Sequence, residues 1–342
     1  MAPSATVVSF TWPLVLMVLL DQGAYGVPVL KRIPLWARVV ALATAISRAI
    51  LANRRRAALR ARLDGKRVLI TGGASGIGLQ LARRCARLGA DVIIWDIQPE
   101  ACVRALEDVR ELAASSSTVV ARTVDVTDRE RVYAEVERMR LDVGELDVVV
   151  LNAGVVSGKH VARADDDAML RTMDVNALSH FWLVRATLPA MLERNAGQIV
   201  TIASASALGG GPGLADYAAS KAAAFIFAES VRMEVRKAGK TGVTVTTVCP
   251  FFVSTGMFEG VRTRLSWLLP VLEPAAVADR IVDAIQARDA VVMIPPILHV
   301  MPLLRALLPV QAFDAVGDVL GITTSMDGFI GRGGPAQVGL RS

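Results

Sequence analysis

Three side chains in the second half of the chain are of types that move a proton on and off an oxygen. Tyr217 and Lys221 stand four residues apart in L-A-D-Y-A-A-S-K-A-A-A-F, and Ser204 lies thirteen residues before the tyrosine. A bare phenol, with a pKa of about 10, is a poor acid or base near neutrality, but a nearby ammonium favours its phenolate. The i, i+4 spacing puts both side chains on one face of a helix, one turn apart. A serine hydroxyl folded alongside would hydrogen-bond a substrate oxygen while the tyrosine carries the proton. Taken alone, Tyr-x-x-x-Lys often arises by chance as a helical surface pair, so its meaning depends on its company.

A second group lies upstream, in R-V-L-I-T-G-G-A-S-G-I-G from Arg67 to Gly78. Val68 to Ile70 predict a short buried strand, and Gly76 to Leu88 a helix with apolar residues at helical spacing. A glycine-rich turn between such elements lets the backbone approach a pyrophosphate, whose charge then sits on the helix N-terminus. The spacing is T-G-x-x-x-G-x-G, with Gly72, Gly76 and Gly78, rather than the commoner G-x-G-x-x-G. A second strand, Asp91 to Trp95, runs into Asp96. An acidic residue about twenty positions after the loop is placed to bind both ribose hydroxyls of an adenosine and to repel a 2′-phosphate, which favours NAD over NADP.

Positioning these residues requires alternating strands and helices. Thr118 to Val126 predicts a third strand, ending in Asp125-Val126, and Arg129 to Leu141 a helix. Leu146 to Leu151 is apolar enough for a strand buried on both faces, and it ends in Asn152-Ala153-Gly154, small residues that let the backbone lie against a ligand. A long helix over Asp166 to Arg194, a strand over Ile199 to Ala203, a helix over Asp216 to Lys237 and a strand over Val243 to Cys249 follow. Pro274 to Arg288 and Ala290 to Ile294 add a last helix and a seventh strand. This alternation specifies an α/β fold, a doubly wound parallel sheet of Rossmann type with helices on both faces. Ligand then binds at the carboxyl ends of the strands, where the candidate residues fall.

With these pieces in order, the chain resembles the short-chain dehydrogenase/reductases from about Gly65 to at least Ile294. The matching segments are T-G-G-A-S-G-I-G, Asp125-Val126, Asn152-Ala153-Gly154, Asn176 in M-D-V-N-A, Ser204 in I-V-T-I-A-S, and Y-A-A-S-K. The stretches N-A-G-V-V-S-G-K, M-D-V-N-A-L-S-H-F-W, V-C-P-F-F-V-S-T-G-M-F-E-G and the late M-D-G-F are similar to the 16C subfamily. That subfamily includes retinol dehydrogenases and lipid-droplet 17β-hydroxysteroid dehydrogenases.

The resemblance implies a set of roles. Tyr217 is the general acid/base, Lys221 lowers its pKa and holds the nicotinamide ribose, Ser204 orients the substrate oxygen, and Asn176 positions a relay water. Gly72, Ser75, Gly76, Ile77, Gly78, Asp96, Asp125, Val126, Asn152, Ala153 and Gly154 would hold the cofactor, together with Pro250, Val253 and Thr255. No metal is required, because two hydroxyls polarise the oxygen. Pro250-Phe251 departs from the wider family's Pro-Gly, and the Phe251-Phe252 pair is either an apolar pocket wall or plain core packing. The implied activity is interconversion of a lipophilic alcohol and its carbonyl with NAD, retinol first. A 17β-hydroxysteroid or another lipid alcohol is the alternative, and a lipid-surface binding protein with little turnover is a rival of a different class. The resemblance also implies a homodimer.

Composition bears on where such a chain sits. Its 342 residues are 53% hydrophobic, with a mean hydropathy of +0.45. Ala5 to Leu20 is uncharged and mostly apolar, but its 16 residues, with Pro13 among them, fall short of the roughly 20 needed to span a bilayer. Ile33 to Leu51 is apolar but broken by Arg38 and Arg48, as in an interfacial helix or re-entrant arm. From Lys31 to Arg67 there are eleven Lys or Arg and one acid, Asp64, a net of +10 in a chain of +6 overall. Basic excess beside an apolar segment predicts a catalytic domain facing the cytosol and an affinity for anionic headgroups. A cleaved signal peptide fits less well, since no Lys or Arg precedes Lys31. The expected organisation is a membrane-anchoring segment at 1–64, a catalytic domain at 65–295 and an apolar C-terminal extension at 296–342, on the endoplasmic reticulum membrane or a lipid droplet.

Arg54-Arg55-Arg56 comes without the aromatic interleaving or motif of a nucleic-acid site, so no nucleic-acid partner is expected. Cys85, Cys102 and Cys249 form no C-x-x-C pair and read as small core residues. His160, His180 and His299 lack ligand spacing, and His180 reads as packing in the helix that carries Asn176. Leu298 to Leu308 is mostly apolar: a substrate lid, a membrane contact or a dimer patch.

Overall fold

The computed structural model describes residues 61–331. The expected membrane-anchoring segment lies outside the described residues, apart from its last four positions. Among the described residues, no helix is long and apolar enough to cross a membrane.

Seven parallel strands form one sheet in the order β3-β2-β1-β4-β5-β6-β7. They are β1 Arg67–Thr71, β2 Asp91–Asp96, β3 Val119–Thr123, β4 Val148–Leu151, β5 Gly197–Ile202, β6 Val243–Pro250 and β7 Val291–Ile294. Helices connect them: α1 Gly76–Arg87, α2 Pro99–Arg110, α3 Arg129–Asp142, α4 Asp166–Met173, α5 Ser179–Glu193, α6 Ala215–Lys237 and α7 Pro274–Ala287. Capping is written locally. Asp128 and Asp165 accept from Arg131 N and Ala168 N at the starts of α3 and α4, and Pro99 and Pro274 open α2 and α7.

Alternation along the buried strands sorts the core into two layers. Val68, Ile70, Val92 and Ile94 face α1, α2 and α7 through Leu81, Ala105 and Ile281. Leu69, Ile93, Val149 and Ile199 face α3, α5 and α6 through Met139, Leu183 and Val231. The chain direction across the sheet reverses between β1 and β4, so a crevice opens above their carboxyl ends.

Three local features differ from the sequence expectation. β3 stops at Thr123, because the Asp125 carboxylate accepts from Thr127 N at 2.9 Å and Thr127 Oγ1 at 2.7 Å and turns the chain. The long helix expected over Asp166 to Arg194 carries a π-helical turn, Asp174–Leu178, centred on Asn176. After β7 the chain forms two helices, α8 Met301–Leu307 and α9 Val310–Leu320, the second closed by Gly321 at φ +76.

Candidate active site

The switch point is tied together by polar contacts between β1 and β4. Thr71 Oγ1 accepts from Asn152 N at 3.0 Å and Ala153 N at 3.1 Å, while Asn152 Nδ2 donates to Thr71 O at 2.8 Å and Gly72 O at 3.1 Å. Two glycines of the loop have structural reasons. Gly76 sits at φ +53, a conformation that favours glycine. A Cβ on Gly78 would run into the Gly72 carbonyl and lie 2.7 Å from Asn152 Nδ2. At the end of β2, Asp96 accepts from Ala74 N at 3.1 Å and Gln98 N at 3.2 Å, so its carboxylate also fastens the glycine loop.

A cleft with roughly 1070 Å³ of open space follows these loops. It is lined by Gly72, Ser75, Gly76, Ile77 and Asp96, then by Asp125, Val126, Asn152, Ala153 and Gly154, and ends at Ser204, Tyr217, Lys221, Pro250, Val253 and Thr255. Every residue named for cofactor binding except Gly78 lines it, and Gly78 packs directly beneath, against Gly72. Ile97, Gln98, Arg171, Met257 and Phe258 also line the cleft and carried no cofactor role in the sequence reading. The residues fit a dinucleotide. Close backbone approach at the glycines precedes a helix N-terminus, a carboxylate stands one strand away, and the far end holds Ser204, Tyr217 and Lys221.

Tyr217 and Lys221 share one face of α6 and are both buried. Burial pushes the Tyr217 phenol up to about 12, and a hydrogen bond with Ser204 pulls it back in part. Lys221 Nζ donates to Ile202 O at 2.8 Å and lies 5.7 Å from the centre of the Tyr217 ring. Burial pushes its ammonium down to about 8, and Cys249 on the neighbouring strand raises it slightly. With its proton held this firmly, Tyr217 is a neutral phenol near neutral pH. Asn176 is fully buried, and its side chain acts as a brace: Oδ1 accepts from Val155 N at 2.8 Å, and Nδ2 donates to Val155 O at 2.9 Å and Ser220 Oγ at 3.0 Å. The π turn aims this amide at both the loop after β4 and the helix of Tyr217.

A second cavity opens on the other side of Ser204, Tyr217, Phe251 and Phe258, with roughly 840 Å³ of open space. Its walls include Leu214, Phe252, Leu269 and Leu298, and α8 and α9 roof it with Met301, Leu304, Phe313, Val316 and Leu320. Phe251 and Phe252 both line this cavity and pack in the core around it, and Phe258 packs edge-on against Tyr217 at 5.5 Å and against Phe252 at 5.2 Å. Leu298, Met301 and Leu304 from the Leu298 to Leu308 stretch line this cavity, and Arg305 donates to Leu208 O at 2.7 Å. α9 had no counterpart in the sequence reading. Its signal was present in Phe313, Val316 and Leu320, apolar at helical spacing between Pro309 and Gly321.

Cys85, Cys102 and Cys249 are all buried and unpaired. His160 and His299 are exposed, whereas His180 is buried, and burial together with the charge of Lys221 pushes it down to about 3. Among the described residues, no group of His, Cys, Asp and Glu is arranged to hold a metal ion.

The family pattern described as short chain dehydrogenase matches residues 66–266. The chain belongs to the short-chain dehydrogenase family. Human epidermal retinol dehydrogenase 2 is 41% identical over 271 residues, covering 79% of this chain and 87% of its own. Bovine short-chain dehydrogenase/reductase family 16C member 6 is 37% identical, covering 79% and 85%. Zebrafish retinol dehydrogenase 10-B is 35% identical, covering 79% and 86%. Among solved structures, a short-chain dehydrogenase/reductase from Burkholderia phymatum in complex with NAD superimposes with a TM-score of 0.64 at 27% identity, covering 72% of this chain and 94% of its own. The chain is thus an oxidoreductase of the Rossmann-type short-chain class, similar to the 16C members.

Proposed function

We propose that this short-chain dehydrogenase interconverts a lipophilic alcohol that has a single polar end, all-trans-retinol foremost, and its aldehyde, using NAD. One observation carries the substrate reading. Among the described residues, the only polar side chains lining the cavity beside Tyr217 are Ser204, Ser206 and Tyr217, while α8 and α9 roof it with apolar side chains. A substrate with one hydroxyl buries its hydrocarbon there and keeps its oxygen at the hydroxyl pair. A steroid with a second oxygen at its far end would leave that group without a side-chain partner, at about 1–3 kcal/mol, or roughly 5- to 150-fold in kcat/KM. The names of the relatives, retinol dehydrogenases among them, support the same reading.

In this reading, the glycine loop and the N-terminus of α1 hold the pyrophosphate, Asp96 the adenosine ribose, Asp125 and Val126 the adenine side, and Asn152 to Gly154 the path between. Pro250, Val253 and Thr255 flank the nicotinamide. When bound, NAD accepts a hydride from the alcohol carbon. Ser204 orients the alcohol oxygen, and Tyr217 as phenolate takes the hydroxyl proton; in reverse, the neutral phenol donates it to the carbonyl oxygen. Lys221 contributes the positive charge that favours the phenolate and a donor toward the ribose. Asn176 holds the loop after β4 and α6 in register, and a relay water carries the proton on from Lys221.

The anchoring segment at 1–64 is proposed to hold the catalytic domain on the cytosolic side of the endoplasmic reticulum membrane or a lipid droplet, where such alcohols dissolve. A homodimer is proposed through α5 and α6. Phe181 and Phe227 stack at 4.0 Å there beside exposed Ile226 and Met233, an apolar strip suited to a second copy.

NADH formation by membranes carrying the full chain tests the reading, with retinol and estradiol compared and Tyr217→Phe as control. Retinol should be oxidised, estradiol at least roughly fivefold less efficiently in kcat/KM, and the variant should lose about 10²–10⁴-fold in kcat. Equal turnover by the variant would refute the role of Tyr217. No turnover of any lipid alcohol by the parent chain would favour a lipid-surface binding protein.

A further inference from the structure

After α9 the chain turns back, and the segment Ser325 to Gly331 crosses between the loops that follow β4 and β6. On the β4 side, Gly158 is the seat of the Phe329 ring: its φ is +68, and a Cβ there would run into the ring edge. On the β6 side the approach is backbone to backbone. Gly260 sits at φ +85, and a Cβ there would strike the Gly328 carbonyl. Ile330 N donates to Glu259 O at 2.9 Å, Gly331 N to the same oxygen at 3.4 Å, and Arg262 N to Ser325 O at 3.2 Å. Among the described residues, these are the backbone hydrogen bonds that tie residues 256–262 to another part of the chain. The others, Glu259 N to Gly256 O and Val261 N to Phe258 O, are turns within the loop. Between the two sides, Met326 and Phe258 pack against the cluster of Leu214, Tyr217 and Phe252.

We propose that Met326 and Phe329 are positioning residues for the substrate, holding Phe258 in the wall shared by the cofactor cleft and the apolar cavity. The inference rests on the dehydrogenase reading above. Phe258 lines both spaces and stands edge-on to Tyr217 at 5.5 Å. Its placement therefore sets how closely an apolar chain presses against the hydroxyl pair and how much water reaches it. Turns within the loop do not offset the entropy of ordering it, so its position depends on what it leans against. Phe329 supplies that support from outside, since it lines neither space. One ring in the Gly158 seat thus couples the loop after β4 to the loop that carries Phe258. Were the segment plain packing, its loss would lower stability and leave substrate recognition as it was.

The test uses the full chain in detergent and compares Phe329→Ala, Phe329→Leu and Gly158→Ala with the parent for melting temperature, amide hydrogen exchange, and initial rates with NAD and retinol. In Phe329→Ala the amides of 256–262 should exchange at least about tenfold faster, while those of β1 and β4 keep their protection. KM for retinol should rise about tenfold, with kcat and KM for NAD within about threefold. Phe329→Leu should restore most of both. Gly158→Ala, which fills the seat of the ring, should give the same signature and add little to it when combined with Phe329→Ala. Parent-like exchange at 256–262 in Phe329→Ala would overturn the proposal whatever the substrate. So would faster exchange with KM for retinol unchanged, or equal losses in kcat and both KM values that follow melting temperature alone. If Phe329→Ala does not fold, Phe329→Leu and Met326→Ala decide, parent-like exchange and KM in both counting against it. A parent chain inert to lipid alcohols would sink the functional reading, and exchange at 256–262 would still decide whether the segment holds the loop.

Discussion

Replacing Asp96 by alanine should change which dinucleotide the protein prefers. The carboxylate sits at the tip of β2 beside Ile97, Gln98 and Ser75 on the cleft wall, and it accepts from the backbone N–H groups of Ala74 and Gln98. Two unit charges about 4 Å apart repel by about 4 kcal/mol at an effective dielectric near 20. Partial exposure of Asp96 and ordinary salt reduce that to roughly 1–2 kcal/mol against a 2′-phosphate. The lost hydrogen bonds of a charged acceptor to the ribose weaken NAD by about 1.5–3 kcal/mol. Together, at about 2.5–5 kcal/mol, these shift the ratio of kcat/KM for NAD over NADP by roughly 70- to 5,000-fold, mostly through KM for NAD. Initial rates with both cofactors at fixed retinol measure the ratio, and Asp96→Asn, which keeps one acceptor, should fall between. A ratio within about twofold of the parent value would refute the placement of the ribose at Asp96.

Three further outcomes follow from the same site. Gly78→Ala puts a methyl group against the Gly72 carbonyl and Asn152 Nδ2, rigid atoms that clamp β1 to β4. It should lower stability by about 2–4 kcal/mol and raise KM for NAD more than it lowers kcat, read by urea unfolding and initial rates. Lys221 carries a pH signature: its folded pKa, about 8, lies below the usual 10.5, so between these values the unfolded chain binds more protons. Its contribution is therefore present above the upper value and lost as pH falls through 8, by about 3 kcal/mol in total. The urea midpoint of the parent relative to Lys221→Met should rise from pH 8 to 10, and a flat difference would contradict the burial of that ammonium. Alcohol oxidation should likewise speed up with rising pH, because burial holds the Tyr217 proton that must leave.

The strands and the site were legible because their signals are local. β1 reads as a short buried strand and β4 as an apolar run, Asn152 and Thr255 follow strand ends, and the Tyr217–Lys221 spacing predicts a shared helical face that α6 provides. The expectation of proton chemistry at Ser204, Tyr217 and Lys221, and of a glycine loop for phosphate, needs only residue type and interval. The π turn at Asn176 was not legible, since it comes from an amide that reaches partners 21 and 44 residues away. α9 could have been read from its apolar spacing, but its role as cavity roof depended on where the chain returns after β7.

What the sequence by itself determined is therefore the chemistry on offer and the sheet that gathers it, because both rest on intervals of a few residues. Only the tertiary structure decided the environment. It buries Tyr217 and Lys221 so that their proton affinities move apart, and it sets an apolar roof over one side of the hydroxyl pair. Among the described residues, it also leaves the buried side chains of His180 and Thr201 without hydrogen-bond partners. Desolvation and cavity shape are sums over surroundings drawn from the whole chain, and no local spacing encodes them.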